Sequence, residues 1–434
     1  MGEAPRERGP HNVVTYSRSV LFRVGTSTRR RARDSLRRGM ATLGTGATGI
    51  SKHDDILARC AALVPALEAR AGEAERLRRL PEETIADAAA AGLFSMLVPE
   101  AHGGAGLGLA SIAQATRTLA HGCVSSAWTL SFFALHNWLL SKFDPSLTRE
   151  IFAARPWALV PAPLAPTGTF TAVDGGYRVS GRWEWATGVM HADWVMVHAL
   201  GTTERGPTTR FCLVPACAAR VEDVWFTSGM CATGSNAVVL DDVFVPAYRA
   251  IDGFRLMKGA GGGARRFVQY PTVPVLVCVA AAPALGAAER AVELFRAQAR
   301  GRVLAYSMGE KQIDQPAAQI RLSAALATVR AARAAWEAAM ASFIGAVESP
   351  TGSQTLDHAA ARLAAAHSVR LARETIATVC DGAGASVYFD GSPLQRLQRD
   401  VEVLKGHVVF DWDRTAELVG RLEFGFEPRP ADML

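Results

Sequence analysis

Apolar residues recur every three or four positions just after residue 50, which is the spacing of a helix that buries one face. The first such run consists of Ile56, Leu57, Cys60, Leu63 and Leu67. A second helix is expected to open at Pro81, because proline followed by two glutamates suits a helix N-terminus. Two more helices are predicted over 109–121 and 128–140, so the segment up to Phe152 is predicted to be an all-α unit.

The pattern changes between about residues 157 and 249, where short runs rich in β-branched and aromatic residues are separated by Gly, Thr and Pro. Such runs are typical of half-buried strands, and they cover 177–181, 194–197 and 210–214. Asp174-Gly175-Gly176 is a turn signal of the kind that joins two antiparallel strands. This segment is therefore predicted to form an antiparallel sheet or barrel.

Helical spacing returns after the glycine-rich stretch 259–263. The alanine-dense helices are predicted over 283–300, 315–346 and 356–380. A last long helix is expected to start near Pro393, because Ser392-Pro393-Leu394-Gln395 has the pattern of a capping box with proline in the first turn. Its apolar stripe is predicted to contain Leu394, Leu397, Val401, Leu404 and Val408, as a bundle helix requires.

This order of elements predicts an α+β protein with three folded regions. A helical domain is assigned to 51–155, a β domain to 156–255, and a C-terminal four-helix bundle to 264–434. The glycine-rich piece 381–386 has no strand before it, so it is interpreted as a turn between helices and not as a dinucleotide-binding loop. Residues 1–50 cannot bury a core and are expected to be a disordered, arginine-rich extension.

The formal charge of +6 is concentrated in that extension. Ten arginines and three acidic residues give it a charge of +7, so the remaining 384 residues carry −1. The folded part is therefore not expected to bind nucleic acid, which requires a basic surface. The extension could be a transit-like leader, an arm for an anionic partner, or a segment upstream of a start at Met40.

Seven cysteines are scattered along the chain, with no Cys-x-x-Cys pair and no histidine at ligand spacing. We therefore predict no metal site and no disulfide scaffold. The apolar run 273–288 contains proline and is too short to span a bilayer, so no membrane association is expected. A reducing, cytoplasmic location fits this use of cysteine.

Several motifs, found in the expected order, resemble the acyl-CoA dehydrogenase superfamily over nearly all of the chain after residue 50. They are Leu80-Pro81-Glu82 with Ala91-Gly92-Leu93-Phe94, Val98-Pro99-Glu100-Ala101-His102-Gly103-Gly104, and Asp241-Asp242-Val243-Phe244-Val245-Pro246. The chain is most similar to the branch of two-component (group D) flavin-dependent monooxygenases. That resemblance implies the acyl-CoA dehydrogenase fold and a homotetramer, arranged as a dimer of dimers through the C-terminal bundle.

The same resemblance implies an oxygenase component that receives reduced FMN or FAD from a separate flavin reductase. The chain has no dinucleotide fingerprint for NAD(P)H of its own. With O2 as co-substrate, such an enzyme forms a C4a-(hydro)peroxyflavin and oxygenates a small organic substrate. Aromatic residues around His136 favour an aromatic or natural-product-like substrate, as in secondary metabolism.

Residues 181–188 are similar to the flavin-edge motif of the family. Their sequence is Gly181-Arg182-Trp183-Glu184-Trp185-Ala186-Thr187-Gly188. In that motif an aromatic ring, a hydroxyl and backbone amides face the isoalloxazine. The resemblance assigns Trp185, Thr187 and Gly188 to flavin binding. It also makes Thr187 a catalytic candidate, because its hydroxyl could hydrogen-bond flavin N5 or O4 and hold the oxygen adduct.

Two further flavin contacts are carried over from the resemblance. Arg302 and Gln315 resemble bundle positions that reach flavin across a subunit contact, and a cation there would suit the phosphate. Thr233-Gly234-Ser235 resembles a glycine-rich loop of the oxygenase branch and is interpreted as a structural loop near the cavity.

Residues 399–404 resemble the bundle motif that dehydrogenases follow with an aromatic-Glu-Gly-Thr sequence. In this chain the next residues are Lys405-Gly406-His407-Val408-Val409-Phe410. This segment has no carboxylate that could remove a proton beside a thioester carbonyl. The oxygenase branch places a histidine in this helix, so His407 is predicted to protonate or stabilise the oxygen adduct, or to deprotonate the substrate. Its helix is predicted to carry a polar seam formed by Arg396, Asp400, His407, Asp411 and Arg414.

His136 is the second catalytic candidate, because the oxygenase branch commonly has a histidine bordering the substrate cavity. It lies in the sequence Phe132-Phe133-Ala134-Leu135-His136-Asn137-Trp138. Three alternatives stay open at this point. The same oxygen adduct would support N-oxygenation of an amine or aminosugar. An FAD-dependent acyl-CoA dehydrogenase with its base elsewhere is another possibility, and a non-enzymatic scaffold is the third.

Overall fold

The computed structural model describes residues 51–204, 206–259, 266–429 and Asp432. The predicted extension over 1–50 and most of the predicted glycine-rich link lie outside the described residues. Within the described ranges the chain forms helices, then strands, then helices again, in the predicted order.

The N-terminal helices are α1 (Lys52–Ala62), α2 (Val64–Leu77), α3 (Glu82–Ala90), α4 (Leu109–Leu119), α5 (Val124–Leu140) and α6 (Pro145–Phe152). The apolar run that predicted one first helix is divided between α1 and α2 at Leu63. Pro65 lies in the first turn of α2, where it has no N–H to continue the hydrogen bonds of α1. Helix α5 is buried on nearly all sides and forms the centre of this domain.

The strands are β1 (Gly168–Val173), β2 (Gly176–Ala186), β3 (Trp194–Thr203), β4 (Gly206–Pro215), β5 (Arg220–Glu222), β6 (Asn236–Pro246) and β7 (Ala250–Asp252). They form one sheet in the order β5-β6-β2-β1-β3-β4-β7. The predicted hairpin joins β1 to β2, with Gly175 at a φ of +75°. The predicted antiparallel pairing is confirmed for the neighbouring strands of this sheet except β1 and β3, because β3 returns on the far side of β1 and runs parallel to it.

The C-terminal helices are α7 (Gly253–Lys258), α8 (Thr272–Gly301), α9 (Pro316–Glu348), α10 (Thr355–Ala383), α11 (Pro393–Leu404) and α12 (Trp412–Glu423). Helix α8 is central and packs against α4, α5, α9, α10 and α11. It is long and apolar enough to cross a membrane, yet 94% of its most apolar window is buried inside the protein. Its apolar composition is therefore explained by its place in the core.

The start of α11 at Pro393 is confirmed, but its end is not where the apolar stripe predicted. The Ser392 side chain makes no capping hydrogen bond, so the predicted capping box does not form. The helix ends at Leu404, and Val408 lies beyond it with 41% of its surface exposed. The interpretation of 381–386 as a turn between helices is confirmed, with Gly384 at a φ of +75° after α10.

Candidate active site

The end of β2 carries the segment that was predicted to face a flavin. Trp183 is fully buried and its Nε1 donates to the His198 carbonyl at 2.7 Å. The β2–β6 ladder is irregular between Trp183 and Ala186. Within that bulge Trp185 adopts a φ of +64° and leaves 62% of its surface exposed. A bulge of this kind changes the direction of a side chain, and here it presents an indole to the outside of the sheet.

The backbone at Gly188 has no room for a side chain. Its φ is +75°, and a Cβ at this position would lie 2.5 Å from Phe133 Cζ on α5. The Gly188 N–H donates to the Thr233 carbonyl at 2.8 Å, and the Thr187 N–H donates to the Trp185 carbonyl at 2.9 Å. Both amides are engaged within the protein, so the flavin-edge prediction comes to depend on the Thr187 hydroxyl.

The Thr187 hydroxyl is linked by hydrogen bonds to the hydroxyls of Ser235 and Thr233, and we call these three groups the hydroxyl chain. Thr187 Oγ1 lies 3.0 Å from Ser235 Oγ, and Ser235 Oγ lies 2.8 Å from Thr233 Oγ1. Thr233 Oγ1 then donates to the Met230 carbonyl at 2.9 Å. Ser235 and Thr233 are buried, while Thr187 is half-buried. The loop that was interpreted as structural therefore contacts a predicted catalytic side chain directly.

Four rings form a continuous set that we call the aromatic row: Trp128, Phe132, His136 and His407. The first three follow one another at four-residue spacing, which places them on one face of α5. Their ring centroids are 4.7 Å apart between Trp128 and Phe132 and 5.6 Å apart between Phe132 and His136. His407 joins the row with its ring centroid 5.5 Å from that of Trp128. The two predicted catalytic histidines thus lie along one row.

His136 is buried with one nitrogen satisfied and the other not. Its Nδ1 hydrogen-bonds the Val160 carbonyl, which can only accept, so Nδ1 carries the proton. Asn137 holds the adjacent segment through two hydrogen bonds with the backbone of Ala158. Nε2 of His136 is buried with no partner among the described residues. Burial lowers the pKa of His136 to about 4, so at neutral pH this nitrogen is an unoccupied acceptor.

His407 lies outside the helix on which it was predicted. It follows the end of α11 and precedes a short turn over Val408–Phe410. Its Nδ1 accepts from the Val409 N–H at 3.4 Å, so the neutral ring carries its proton on Nε2. The residue is exposed on one side, although the protein atoms around the ring lower its pKa to about 4. His407 can therefore act as a neutral donor, the opposite of His136.

The predicted polar seam does not form, because its members lie on different elements. Asp400 is buried, where its carboxylate accepts from the Met230 N–H at 2.6 Å and from Ser125 Oγ at 3.4 Å. Arg396 pairs with Glu75 of α2. Asp411 instead caps the start of α12. The seam prediction is wrong because α11 ends before His407, so helical spacing no longer applies there.

Asp400 should make stability depend on pH, because burial raises its pKa from 3.8 to about 6. An acid whose folded pKa exceeds its unfolded pKa favours folding at low pH, and this contribution is lost as the pH rises through the folded value. Relative to Asp400→Asn, the free energy of unfolding of the wild type should fall by about 2 kcal/mol between about pH 4 and pH 7. Urea unfolding of both proteins measures this, and parallel pH profiles would contradict it.

Arg302 and Gln315 lie at one end of the bundle. The Arg302 guanidinium donates to the Ala383 carbonyl at the end of α10. Gln315 precedes α9 and donates to Glu310 at 3.0 Å. These hydrogen bonds are made within the bundle, and neither joins the pair to Thr187. Within one chain the structure therefore does not bring these two predicted flavin contacts to the hydroxyl chain.

A recess of about 560 Å³ lies along β2, β5 and β6 and is lined by residues that include Arg182, Arg220 and Asp241. None of the candidate site residues lines it. The candidate active site is thus defined by its side chains and not by this recess.

Two parts of the site were not predicted. The contact between Thr187 Oγ1 and Ser235 Oγ joins positions 48 residues apart, and no local pattern indicates it. The part of the aromatic row that lies on α5 could have been predicted, because Trp128, Phe132 and His136 share the four-residue spacing of one helix face.

Comparisons with known proteins agree with this architecture. Family models described as the N-terminal and C-terminal domains of acyl-CoA dehydrogenase match residues 53–143 and 278–412. Among solved structures, XiaF from Streptomyces sp. in complex with FADH2 and glycerol superposes with a TM-score of 0.82. It is 27% identical, over 94% of this chain and 100% of that one.

Relatives of known function are similar over most of their length. A pigment production hydroxylase of Rhodococcus sp. (strain ATCC 21145) is 34% identical, over 85% of this chain and 95% of that protein. The flavin-dependent monooxygenase oxygenase subunit HsaA of Mycobacterium tuberculosis (strain ATCC 25618 / H37Rv) is 31% identical, over 88% and 98%. The oxygenase component of the FADH2-dependent resorcinol hydroxylase of Rhizobium sp. (strain MTP-10005) is 29% identical, over 87% and 96%.

Proposed function

Because this chain belongs to the acyl-CoA dehydrogenase family, in its branch of oxygenase components of two-component flavin-dependent monooxygenases, we propose that it hydroxylates a phenolic ring beside the aromatic row. The enzyme is a flavin-dependent monooxygenase that uses reduced flavin and O2. As an oxygenase component it takes the reduced flavin from a separate reductase.

The flavin is proposed to lie against the end of β2. When bound, reduced flavin supplies the electrons that activate oxygen. The Thr187 hydroxyl is proposed to hold its N5 edge, the exposed Trp185 indole to cover it, and Gly188 to let this segment approach α5 without a collision. Arg302 and Gln315 are proposed to contact the flavin of another subunit, since a guanidinium suits a phosphate.

The substrate ring is proposed to pack on Trp128 and Phe132, because flat aromatic faces favour a flat ligand. A phenol O–H would then donate to the unoccupied Nε2 of His136. Drawing the proton from a phenol increases the electron density of its ring, which favours attack on an electrophilic oxygen. His407, with its proton on Nε2, is proposed to donate to the oxygen that is transferred.

The observation that carries this proposal is the acceptor Nε2 of His136, which lies within the aromatic row and is buried, neutral and without a hydrogen-bond partner in the part of the chain that the structure describes. A buried polar atom without a partner is costly, and a ligand hydroxyl would remove that cost. The resorcinol hydroxylase among the relatives acts, by its name, on a dihydroxylated ring, which also supports a phenolic substrate.

The test is a single-turnover reaction with chemically reduced FMN or FAD, isotopically labelled O2 and a panel of phenols, amines and acyl thioesters. We expect phenols to gain one labelled oxygen atom on the ring, as measured by mass spectrometry. Labelling of an amine nitrogen would instead establish the N-oxygenase alternative. Anaerobic reduction of bound flavin by an acyl thioester would establish a dehydrogenase and contradict the proposal.

Assembly is proposed to follow the family expectation of a homotetramer, a dimer of dimers through the C-terminal bundle. Exposed apolar side chains at one end of the bundle support a subunit contact there: Val303, Tyr306, Met308, Ile320, Tyr388 and Phe389. Arg302 and Gln315 lie at the same end, which fits a flavin shared between subunits. A cytoplasmic location is proposed, because a cytoplasmic reductase pool would supply the reduced flavin.

A further inference from the structure

The direction of the hydroxyl chain follows from counting protons, because each hydroxyl has one hydrogen to donate. Two oxygens 2.9 Å apart need a hydrogen between them, and the Met230 carbonyl has none, so Thr233 must donate to it. Ser235 must then donate to Thr233, and Thr187 must donate to Ser235. The Thr187 proton is thus directed into the protein, and only its lone pairs remain for another partner.

The carbonyl that ends the chain is held in place. Trp225 Nε1 donates to the same Met230 oxygen at 3.0 Å, and the Met230 N–H donates to the buried Asp400 carboxylate at 2.6 Å. Met230 itself has a φ of +54°, and Gly234 nearby has a φ of +51°. The hydrogen bonds of Trp225 and Asp400 hold the backbone of Met230 on both sides, so the last acceptor cannot readily rotate away and the chain keeps its direction.

The N5 atom of a flavin changes its hydrogen-bonding character with its redox state. In reduced flavin N5 carries a hydrogen and is a donor. In oxidised flavin N5 has a lone pair and is an acceptor. A Thr187 hydroxyl that can only accept is complementary to the reduced ring, whereas two lone pairs would face each other in the oxidised ring.

We propose that Ser235 and Thr233 are positioning residues that hold the Thr187 hydroxyl as an acceptor, and that the site for this reason prefers reduced flavin to oxidised flavin. The inference rests on the proposed place of Thr187 at flavin N5. It gives an enzyme supplied by a separate reductase a physical means of taking up the reduced cofactor and releasing the oxidised one after each turnover.

Dissociation constants for reduced FMN, measured anaerobically, and for oxidised FMN test the inference. In Ser235→Ala the Thr187 hydroxyl loses its acceptor and becomes free to donate to oxidised N5. In Thr233→Val the Ser235 hydroxyl loses its acceptor, so the chain can reverse. Both variants should bind oxidised FMN about fivefold to tenfold more tightly, with less than about a twofold change for reduced FMN. Thr375→Val, which removes a buried hydroxyl on α10, is the control and should change neither constant.

A flavin analogue provides an independent probe of the same atom. In 5-deaza-FMN a carbon replaces N5, so the ring has neither the donor when reduced nor the acceptor when oxidised. Wild type and Ser235→Ala should therefore bind this analogue equally in each redox state. Wild type and Ser235→Ala bind the same analogue, so the contributions of its ring charge and its phosphate to the binding free energy cancel between the two proteins.

Unchanged ratios of the two constants in both Ser235→Ala and Thr233→Val, with circular dichroism and melting showing folded proteins, would overturn the inference. Thr187→Val separates this failure from that of the proposed function. Weaker binding of reduced FMN by Thr187→Val alone would keep Thr187 at the flavin and remove only the role of its neighbours. No effect of Thr187→Val on either redox state would refute the proposed place of Thr187 itself.

Discussion

Replacing His136 with alanine is expected to lower the yield of hydroxylated phenol by about 100-fold, the low end of what a positioned acid–base group contributes. The variant loses the neutral Nε2 that is proposed to accept the phenol proton. Reduced flavin should still be consumed, and hydrogen peroxide should replace the missing product. Product and peroxide, quantified after one turnover with a limiting amount of reduced flavin, measure the change. Because burial lowers the pKa of His136 to about 4, the wild-type yield should show no step near pH 6.5.

Two controls separate this role from a general loss of structure. His367→Ala removes an exposed histidine on α10 and should leave the yield unchanged. An aryl methyl ether has no hydroxyl hydrogen to donate, so wild type and His136→Ala should process it equally poorly. If the variant retained the wild-type yield with a phenol, the aromatic row would not be the substrate site.

The elements that could be predicted from sequence are those whose signals are local. Pro393 begins α11 because proline is tolerated in a first helical turn, and Gly175 closes the β1–β2 hairpin because glycine adopts a positive φ without strain. Each of these features depends on a few neighbouring residues. The order of the three regions also follows from the spacing of apolar residues. The family motifs added what local rules could not, namely the assignment of the segment that contains Thr187 to the edge of a flavin.

The errors have a common physical cause, which is packing between distant segments. The apolar stripe continues in sequence to Val408, yet the helix ends at Leu404 because Val409 and Phe410 enter the core from a turn instead. Asp400 was expected on a polar face, but it is buried, and its carboxylate accepts from the backbone N–H of Met230, 170 residues away in sequence. A periodic pattern contains no information on either contact.

Packing between distant segments also makes Gly188 important for stability and for flavin binding, because this residue lies against α5. Gly188→Ala should lower the free energy of unfolding by about 2–4 kcal/mol, of which about 1–3 kcal/mol comes from overpacking and about 1 kcal/mol from the positive φ. The added methyl would lie 2.5 Å from Phe133 Cζ. To relieve this contact the segment must move away from α5, and Thr187 must move with it. Affinity for reduced flavin should therefore fall by at least about tenfold, since a hydrogen bond does not survive a displacement of about an ångström.

Gly175→Ala is the matched control, because Gly175 has the same φ of +75° but no atom within 4 Å of its Cβ position. Gly175→Ala should lower the free energy of unfolding only by the contribution of the positive φ, about 1 kcal/mol, and should leave the flavin affinity unchanged. Phe133→Leu removes the ring atom that the methyl meets, so the double variant with Gly188→Ala should be less destabilised than the two single changes added together. Equal losses of stability in the two glycine variants, with flavin affinity intact in both, would mean that the approach of β2 to α5 does not determine where Thr187 lies. Chemical denaturation and anaerobic flavin titration of the four variants decide between these outcomes.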